Sequence, residues 1–316
     1  MNCIQQHQDD KFSIYQGDCC DVIAEIPDHS VDFSVFSPPF AELYCYSDSE
    51  RDMGNSRNYA EFFEHFGFLT GELLRITKPG RLISVHCMDM PAKKCTDGYI
   101  GLKDFPGDII REFEKHGFIY HDRFTIEKDP LIEAVRTRSL RLMYKQIQKD
   151  SIQCGTGCPD YILTFRAPGE NAEFVSNPDG FSEYFGSDRP SESKYRGVKW
   201  HHRVWQKYAN PIWHDIRQTL TLNKTSARAE KDEKHICPLQ LDTIGRLVTL
   251  YTNENEVVFS PFMGIGSEGY QALLMKRRFI GVELKESYYE QACKNLMKAQ
   301  SNAGKKTIMF MGEIQS

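Results

Sequence analysis

The sequence lacks the features that would place the protein in or across a membrane. No run among its 316 residues approaches the roughly 20 consecutive apolar residues that a membrane-spanning helix needs. The N-terminal segment has no basic flank followed by an apolar stretch, so it does not have the form of a secretory signal. We therefore expect a cytoplasmic protein with no membrane partner.

A cysteine pattern typical of disulfides or of a zinc site is also missing. The ten cysteines are scattered, mostly inside apolar runs, which is typical of thiols in a reducing compartment. Only Cys154 and Cys158, in the letters CGTGC, are spaced like a ligand pair, and no second pair of similar spacing completes a zinc site. We therefore predict no obligatory metal and interpret CGTGC as a glycine-rich turn.

An excess of positive charge is absent as well. The formal net charge is -5, which does not favour nucleic acid as a partner. It does not exclude one, because phosphate binding depends on a local basic surface and not on the total charge. Hydrophobic residues make up 40% of the chain and charged residues 26%, so a sizeable packed core is expected.

Most of the chain alternates between short strand-like and longer helix-like segments. Strands are predicted at 12–15, 31–36, 81–87, 118–126, 161–165, 257–260 and 279–283, and helices at 20–26, 58–76, 105–116, 240–251, 267–274 and 287–299. This alternation predicts an α/β fold built on a doubly wound, Rossmann-like and mostly parallel sheet. Residues 167–233 are polar, turn-rich and irregular, so we expect a smaller module there.

A glycine-rich turn follows the predicted strand 257–260. The letters from Gly264 to Gly269 match G-x-G-x-x-G, and glycine lets a backbone approach a ligand closely. Glu283 ends the next strand, where a carboxylate can accept hydrogen bonds from ribose hydroxyls. Alone, the turn is compatible with a purely structural connection or with a nicotinamide-dependent dehydrogenase. The dehydrogenase has a topological difficulty, because most predicted strands precede this turn instead of following it.

A second rigid turn, Ser37-Pro38-Pro39-Phe40, follows the predicted strand 31–36. The two prolines remove N–H donors and leave carbonyl acceptors, which suits a substrate that donates hydrogen bonds, such as an exocyclic amino group. If the Ser37 hydroxyl oxygen and the Pro38 carbonyl each accept a hydrogen bond from the amino group, the lone pair becomes localised on the nitrogen. A nitrogen with that geometry occurs mainly in the transition state, so these contacts are strongest there. Phe40 is expected to stack on the nucleic-acid base that carries this amino group. If the glycine-rich turn were absent from the sequence, Ser37-Pro38-Pro39-Phe40 would be better interpreted as a rigid surface turn with no catalytic role.

Together the two turns resemble the motifs of DNA methyltransferases that modify cytosine N4 or adenine N6. That family has a (D/N/S)-P-P-(Y/F/W) motif and an F-x-G-x-G loop, and its β group places the catalytic motif first, target recognition next and the cofactor loop last. The same order occurs here, and this permuted order removes the topological difficulty. The resemblance implies a catalytic half at 1–166, a target-recognition module at 167–233 and a cofactor-binding half at 234–316.

The resemblance also implies S-adenosyl-L-methionine as the cofactor and double-stranded DNA as the substrate. It assigns catalysis to Ser37, Pro38, Pro39 and Phe40, and cofactor contacts to Asp18, His235, Pro238, Ser260, Phe262, Gly264, Gly266 and Glu283. The sequence departs from the family at two points: Ser260 stands where relatives usually have Asp, and Ser267-Glu268 stands in place of (S/T)-T.

The expected reaction is direct attack of a flipped base's amino nitrogen on the sulfonium methyl, with the proton leaving afterwards to water. Serine at the first motif position favours cytosine N4, with adenine N6 as the alternative. More distant alternatives are an RNA methyltransferase and an inactive DNA-binding relative. The sequence leaves open whether the protein is a monomer or a homodimer and whether a restriction partner exists.

Basic and aromatic residues are densest between positions 194 and 208, inside the expected target-recognition module. Basic groups can meet phosphates, and aromatic groups can stack on bases or wedge between them. The candidate DNA-binding residues are Lys194, Arg196, Lys199, Arg203 and Lys207, with a second basic cluster at Arg136, Arg138 and Arg141. The alternative for this run is a solvated face whose tryptophans pack the module. The polar loop 42–57 is either a lid over the flipped base, with Tyr44 or Tyr46 inside, or an ordinary surface loop.

Overall fold

A computed structural model describes residues 2–39, 59–92, 94–137, 144–153, 155, 157–190, 199–223 and 238–303. The strands are β1 Gln5–Gln8, β2 Phe12–Gln16, β3 Val31–Phe36, β4 Thr77–Met88, β5 Met90–Ala92, β6 Gly101–Lys103, β7 Ile119–Ile126, β8 Asp160–Arg166, β9 Ile212–Trp213, β10 Val257–Ser260 and β11 Arg278–Glu283. The helices are α1 Cys19–Ile23, α2 Tyr59–Ile76, α3 Lys94–Asp97, α4 Phe105–Lys115, α5 Pro130–Thr137, α6 Tyr144–Lys149, α7 Trp200–Tyr208, α8 Leu241–Tyr251, α9 Ser267–Leu274 and α10 Glu286–Asn302. Within these ranges, no helix combines the length and apolar character that crossing a membrane requires.

Nine of the strands form one sheet in the order β1-β2-β11-β10-β3-β4-β8-β7-β9. The five neighbours from β2 to β4 in that order are parallel to one another. Strand β8 runs antiparallel to both β4 and β7. Because β10 lies beside β3, the two ends of the chain complete a single sheet, as the permuted order predicts. The predicted α/β fold with a mostly parallel sheet is confirmed.

The helices cover both faces of this sheet. Buried side chains of α8, α9 and α10 form the core on one face, and those of α1, α2 and α4 form the core on the other. The connection from β10 to β11 therefore crosses one face, and the connection from β3 to β4 crosses the opposite face. A doubly wound sheet has its ligand crevice where the direction of winding reverses, which here is between β10 and β3.

Buried charged residues connect the N-terminal and C-terminal halves of the chain at the other end of the strands, away from the ligand crevice. Arg81 of β4 forms a buried ion pair with Glu256, which lies next to β10, and its Nε donates to the Asp32 carbonyl over 3.0 Å. The Asp32 carboxylate accepts from the Val257 amide over 2.8 Å and pairs with Lys78 over 2.6 Å. These contacts join β3, β4 and β10, although they come from distant parts of the chain.

Most predicted elements are found within a few residues of their expected bounds, and the strands 31–36 and 257–260 agree at both ends. The expectation of irregular chain throughout 167–233 is wrong at 200–208, which forms helix α7. Val204 and Tyr208, four residues apart on one face of α7, are fully buried beside Phe185. Because polar residues surround these two apolar positions, the composition of the segment does not indicate a helix.

The described part of 167–233 shares the main core. Strand β9 extends the sheet beside β7, and the ring of Trp213 stacks on Phe124 with centroids 4.4 Å apart. Arg246 of α8 is fully buried and its guanidinium lies 2.7 Å from the Asp215 carboxylate. The segment is thus attached by specific contacts both to β7 and to α8, while its role in target recognition stays a prediction.

Candidate active site

Four neighbouring strand ends carry most of the predicted catalytic and cofactor-binding residues. Asp18 follows β2, Glu283 ends β11, Ser260 ends β10 and Ser37 follows β3. Because these strands are parallel neighbours, their carboxyl ends lie at the same edge of the sheet. The structure therefore brings together residues that are far apart in the sequence.

The glycine-rich turn after β10 has two glycines with different structural roles. Gly264 and Gly266 both lie in the left-handed region, with φ of 53° and 84°. A Cβ at Gly266 would come 2.5 Å from Cδ1 of Leu296, so this position must be small for α10 to pack. A Cβ at Gly264 would meet nothing within 4 Å. The space in front of Gly264 is thus open to a ligand that approaches the backbone closely.

Two acidic residues hold the loops around this space. The Glu283 carboxylate accepts from the Gly264 amide and from the Lys285 amide, each over 2.9 Å. The Gly17 amide donates to the Glu283 carbonyl over 3.0 Å, which places Asp18 next to the end of β11. Asp18 caps α1 by accepting from the Cys20 amide over 2.9 Å. Carboxylate oxygens have several lone-pair sites, so one carboxylate can accept more than one hydrogen bond.

Buried polar groups line the same turn. Ser260 and Ser267 are buried, and among the described residues neither hydroxyl has a hydrogen-bond partner. Buried polar atoms in proteins are rarely unpaired, and a ligand is one way to satisfy them. Burial, together with the smaller effect of the negative charge of Glu283, raises the pKa of Glu268 to about 8. The open space at Gly264 and these polar groups fit a polar, nucleoside-containing cofactor.

The rigid turn after β3 adjoins the glycine-rich turn. The ring of Phe36 meets the ring of Phe262 edge-on, with centroids 5.9 Å apart. Ser37 is half-buried, Pro38 is buried and Pro39 is half-buried. The turn that carries Ser37 and the turn that carries Gly264 therefore leave adjacent strands and touch through aromatic side chains. Phe40 and the loop 42–57 lie outside the described residues.

A buried series of polar side chains behind Ser37 was not predicted from the sequence. Ser37 Oγ lies 2.8 Å from Nδ1 of His86, and His86 Nε2 lies 3.1 Å from Oδ2 of Asp160. The other Asp160 oxygen lies 2.6 Å from Nζ of Lys128. Burial alone would raise the pKa of the Asp160 carboxyl, but the charges of His86 and Lys128 outweigh it and hold that pKa well below its usual range.

No local motif marks His86 or Asp160, because the sheet register alone brings them close to Ser37. Phe36 of β3 pairs with Val85 of β4, which places the next residues, Ser37 and His86, side by side. Asp160 is the first residue of β8, paired with Met88, two residues beyond His86 on β4. Their proximity depends on parallel and antiparallel pairings between distant segments, which composition and periodicity do not reveal.

The predicted DNA-binding residues are only partly described. Lys199 is exposed just before α7, Arg203 is half-buried and Lys207 is paired with Asp188. Of the tryptophans, Trp213 is fully buried, whereas Trp205 on α7 is 56% exposed. Pro238 lies three residues before the start of α8. The predicted residues Lys194, Arg196 and His235, together with Arg138 and Arg141, lie outside the described residues.

Comparison with known proteins identifies the family to which this site belongs. The sequence matches the family model N6_N4_Mtase, described as DNA methylase, over residues 31–294. The chain belongs to this DNA methylase family. The orphan methyltransferase M.BamHII of Bacillus amyloliquefaciens is 25% identical over 86% of this chain and 90% of its own length. The predicted family is thus confirmed.

Solved structures support the same fold for this methylase. The protein TTHA0409 of Thermus thermophilus, solved in complex with S-adenosyl-L-methionine, has a TM-score of 0.61 at 21% identity, with 91% of this chain and 95% of that chain covered. The cytosine-N4-specific PvuII DNA methyltransferase has a TM-score of 0.61 at 15% identity, with 96% and 95% covered. S-adenosyl-L-methionine is therefore the cofactor that the family implies.

Proposed function

We propose that this methylase transfers a methyl group from S-adenosyl-L-methionine to the exocyclic amino group of a flipped base in double-stranded DNA. The observation that carries the proposal is the contact between the turn after β3 and the turn after β10, through Phe36 and Phe262. It sets the Ser37 turn beside the open space at Gly264. A target nitrogen and a methyl donor can thus meet at one crevice.

The residues around the glycine-rich turn would hold the cofactor. Glu283 and Asp18 are placed to accept hydrogen bonds from the nucleoside part, and the unpaired hydroxyl of Ser260 is placed to accept from the amino-acid part. When bound, S-adenosyl-L-methionine supplies a methyl group on a sulfonium sulfur. Pro238, before α8, and His235 are further candidates for contacts with the amino-acid part.

The residues of the turn after β3 would act on the target base. The Ser37 hydroxyl and the Pro38 carbonyl accept hydrogen bonds from the amino group, which favours a pyramidal nitrogen with a localised lone pair. Pro39 keeps the turn rigid, and Phe40 stacks on the flipped base. Because these contacts are strongest in the transition state, they increase turnover more than substrate binding.

Serine at the head of the motif supports cytosine N4 as the acceptor, with adenine N6 as the alternative. Mass spectrometry of nucleosides from DNA methylated by the purified protein distinguishes the two. N4-methylcytosine supports the proposal, whereas N6-methyladenine moves the assignment to adenine. Methylation of RNA but not of DNA by the same preparation would overturn the proposed substrate class.

Replacement of Ser37 by Ala tests the catalytic assignment. We expect turnover to fall about 100-fold, because one acceptor for the amino group is lost. Binding of S-adenosyl-L-methionine, measured by calorimetry, should not change, since Ser37 lies outside the glycine-rich turn. Ser301→Ala, at the exposed end of α10, is the matched control. Equal loss of turnover and cofactor binding in Ser37→Ala would contradict this role.

DNA contact by the basic face of α7 is part of the proposal. Lys199 and Arg203 are the described candidates; Lys194 and Arg196, which lie outside the described residues, remain candidates from the sequence. Lys207 is the weaker candidate, because its ammonium is already paired with Asp188. Replacing Lys199 and Arg203 by Gln should lower the slope of log affinity against log salt by roughly 1 for each lost phosphate contact. An unchanged slope would exclude this face.

A further inference from the structure

We propose that His86 takes up, through Ser37, the proton that the target amino group loses on methylation. Asp160 and Lys128 hold the imidazole in the state that can receive it. This inference rests on the proposed function. It replaces the expectation that the proton leaves directly to water, and it makes His86 a positioning residue that acts through Ser37.

The geometry selects one tautomer of His86. Nδ1 lies 2.8 Å from Ser37 Oγ and Nε2 lies 3.1 Å from Asp160 Oδ2. The Asp160 carboxylate is an acceptor only, so a neutral imidazole is most stable with its hydrogen on Nε2. Nδ1 is then unprotonated and accepts the hydrogen bond of the Ser37 hydroxyl. The contact with Asp160 does not have the geometry of a linear hydrogen bond, so the negative charge of Asp160 decides the tautomer.

Buried charged groups face His86. The Asp160 side chain is 2% exposed and Lys128 is 4% exposed, so solvent screens their charges weakly. Lys128 lies between the carboxylates of Asp160 and Glu133, at 2.6 and 3.2 Å, which fixes Asp160 as an anion facing the imidazole.

Several titratable groups of β4, β7 and β8 lie on the opposite face of the sheet. Alternate residues of a strand point to opposite faces, so Cys87 and its cross-strand partner Tyr161 point away from His86. Asp89 and Arg123 contact Tyr161 and therefore belong to that side. Among the described residues, Asp160, Lys128 and Glu133 are connected to the imidazole by successive contacts of 3.2 Å or less, whereas Asp122, which pairs with Thr164 on the same face, is exposed.

The proposed proton transfer balances as follows. The amino nitrogen bonds to the methyl carbon while the carbon–sulfur bond breaks, and the electron pair of that bond stays on sulfur. The nitrogen, now positively charged, gives a proton to Ser37 Oγ as the Ser37 hydrogen passes to Nδ1 of His86. The imidazolium is paired with Asp160 until it releases the proton to water after the methylated base leaves. Ser37 is unchanged at the end and forms no covalent bond to the substrate.

His86→Asn separates proton uptake from positioning. The Asn side-chain oxygen reaches about the place of Nδ1, so it can still accept from the Ser37 hydroxyl, but it cannot take a proton at neutral pH. We expect single-turnover methylation to fall roughly 100-fold, the lower end of the range for general-base catalysis. Binding of S-adenosyl-L-methionine and DNA should be unchanged. His121→Asn, at an exposed position on β7, is the matched control.

The pH profile and the imidazole tautomer distinguish proton uptake from a structural role. Wild-type single-turnover rates should fall at acid pH, and this acid limb should be absent in His86→Asn. In the cofactor-free protein, nitrogen-15 NMR should show the neutral ring of His86 with its hydrogen on Nε2. Asp160→Asn should remove that preference and slow methylation while the circular dichroism spectrum is retained.

Failure of this inference can be told apart from failure of the proposed function. If the wild-type protein does not methylate DNA, the proposed function is wrong. If it does, and His86→Asn methylates at the wild-type rate with the same acid limb, His86 takes up no proton and the inference is overturned. A ring with its hydrogen on Nδ1 in the wild-type protein would overturn it equally.

Discussion

Glu268 provides a quantitative test of the environment around the glycine-rich turn. Its carboxyl lies in the first turn of α9, is 4% exposed, and has its pKa raised to about 8, chiefly by burial. Between pH 4.5 and pH 8, the unfolded chain loses this proton while the folded protein keeps it. The folded state then binds more protons, so its stability falls as pH rises.

The size of this pH effect on the free energy of unfolding can be calculated, because the folded and unfolded states differ by the one proton of Glu268. The contribution of Glu268 to the free energy of unfolding is fully present below pH 4.5 and falls by roughly 1 kcal/mol per pH unit up to about pH 8. Between pH 6 and pH 8 the loss is therefore about 2 kcal/mol, which is large against typical domain stabilities of about 5–15 kcal/mol. Glu268→Gln removes it, because an amide resembles the protonated carboxyl and does not ionise.

Urea denaturation of the wild-type protein and of Glu268→Gln, at pH 6 and at pH 8, measures the effect. The variant should be close to the wild type at pH 6 and more stable at pH 8. Comparing the two proteins at each pH removes the contribution of histidines and other titrating groups. Glu290→Gln, at an exposed position on α10, is the control and should show no such change. A difference between wild type and Glu268→Gln that is equal at both pH values would refute the buried, protonated carboxyl.

Three further substitutions test the two glycines and the ion pair that joins the halves. Gly264→Ala should cost about 1 kcal/mol of stability, because its φ is positive but its surroundings are open, and should weaken cofactor binding in calorimetry. Gly266→Ala should cost about 3 kcal/mol in urea denaturation, because it adds a clash with Leu296 to the same backbone strain; equal stabilities of the two variants would contradict this. Arg81→Met should cost about 3–5 kcal/mol, because Glu256 is left buried without its partner. Adding Glu256→Gln should recover part of that loss, and an absence of recovery would show that the pairing is not the cause.

The positions of individual strands and helices could largely be predicted from the sequence. The strands 31–36 and 257–260 and the helix 267–274 have their own apolar patterns; the two strands end at proline turns, and the helix begins at a glycine turn. The positions of Ser37 and Gly264 at strand ends follow from the same local signals. In contrast, α7 was not predicted, because its buried residues Val204 and Tyr208 lie among polar neighbours.

The sequence by itself determined the motifs, their order along the chain and the kind of sheet that this order allows. These are local properties, since each motif is a short run whose residues fold against their own neighbours. Only the tertiary structure decided that His86 lies against Ser37, with Asp160 and Lys128 behind it. Strands β3, β4 and β8 come from separate parts of the chain, and their relative register is set by packing on both faces of the sheet. A shift of one residue in that register would turn His86 to the opposite face and break the contact with Ser37.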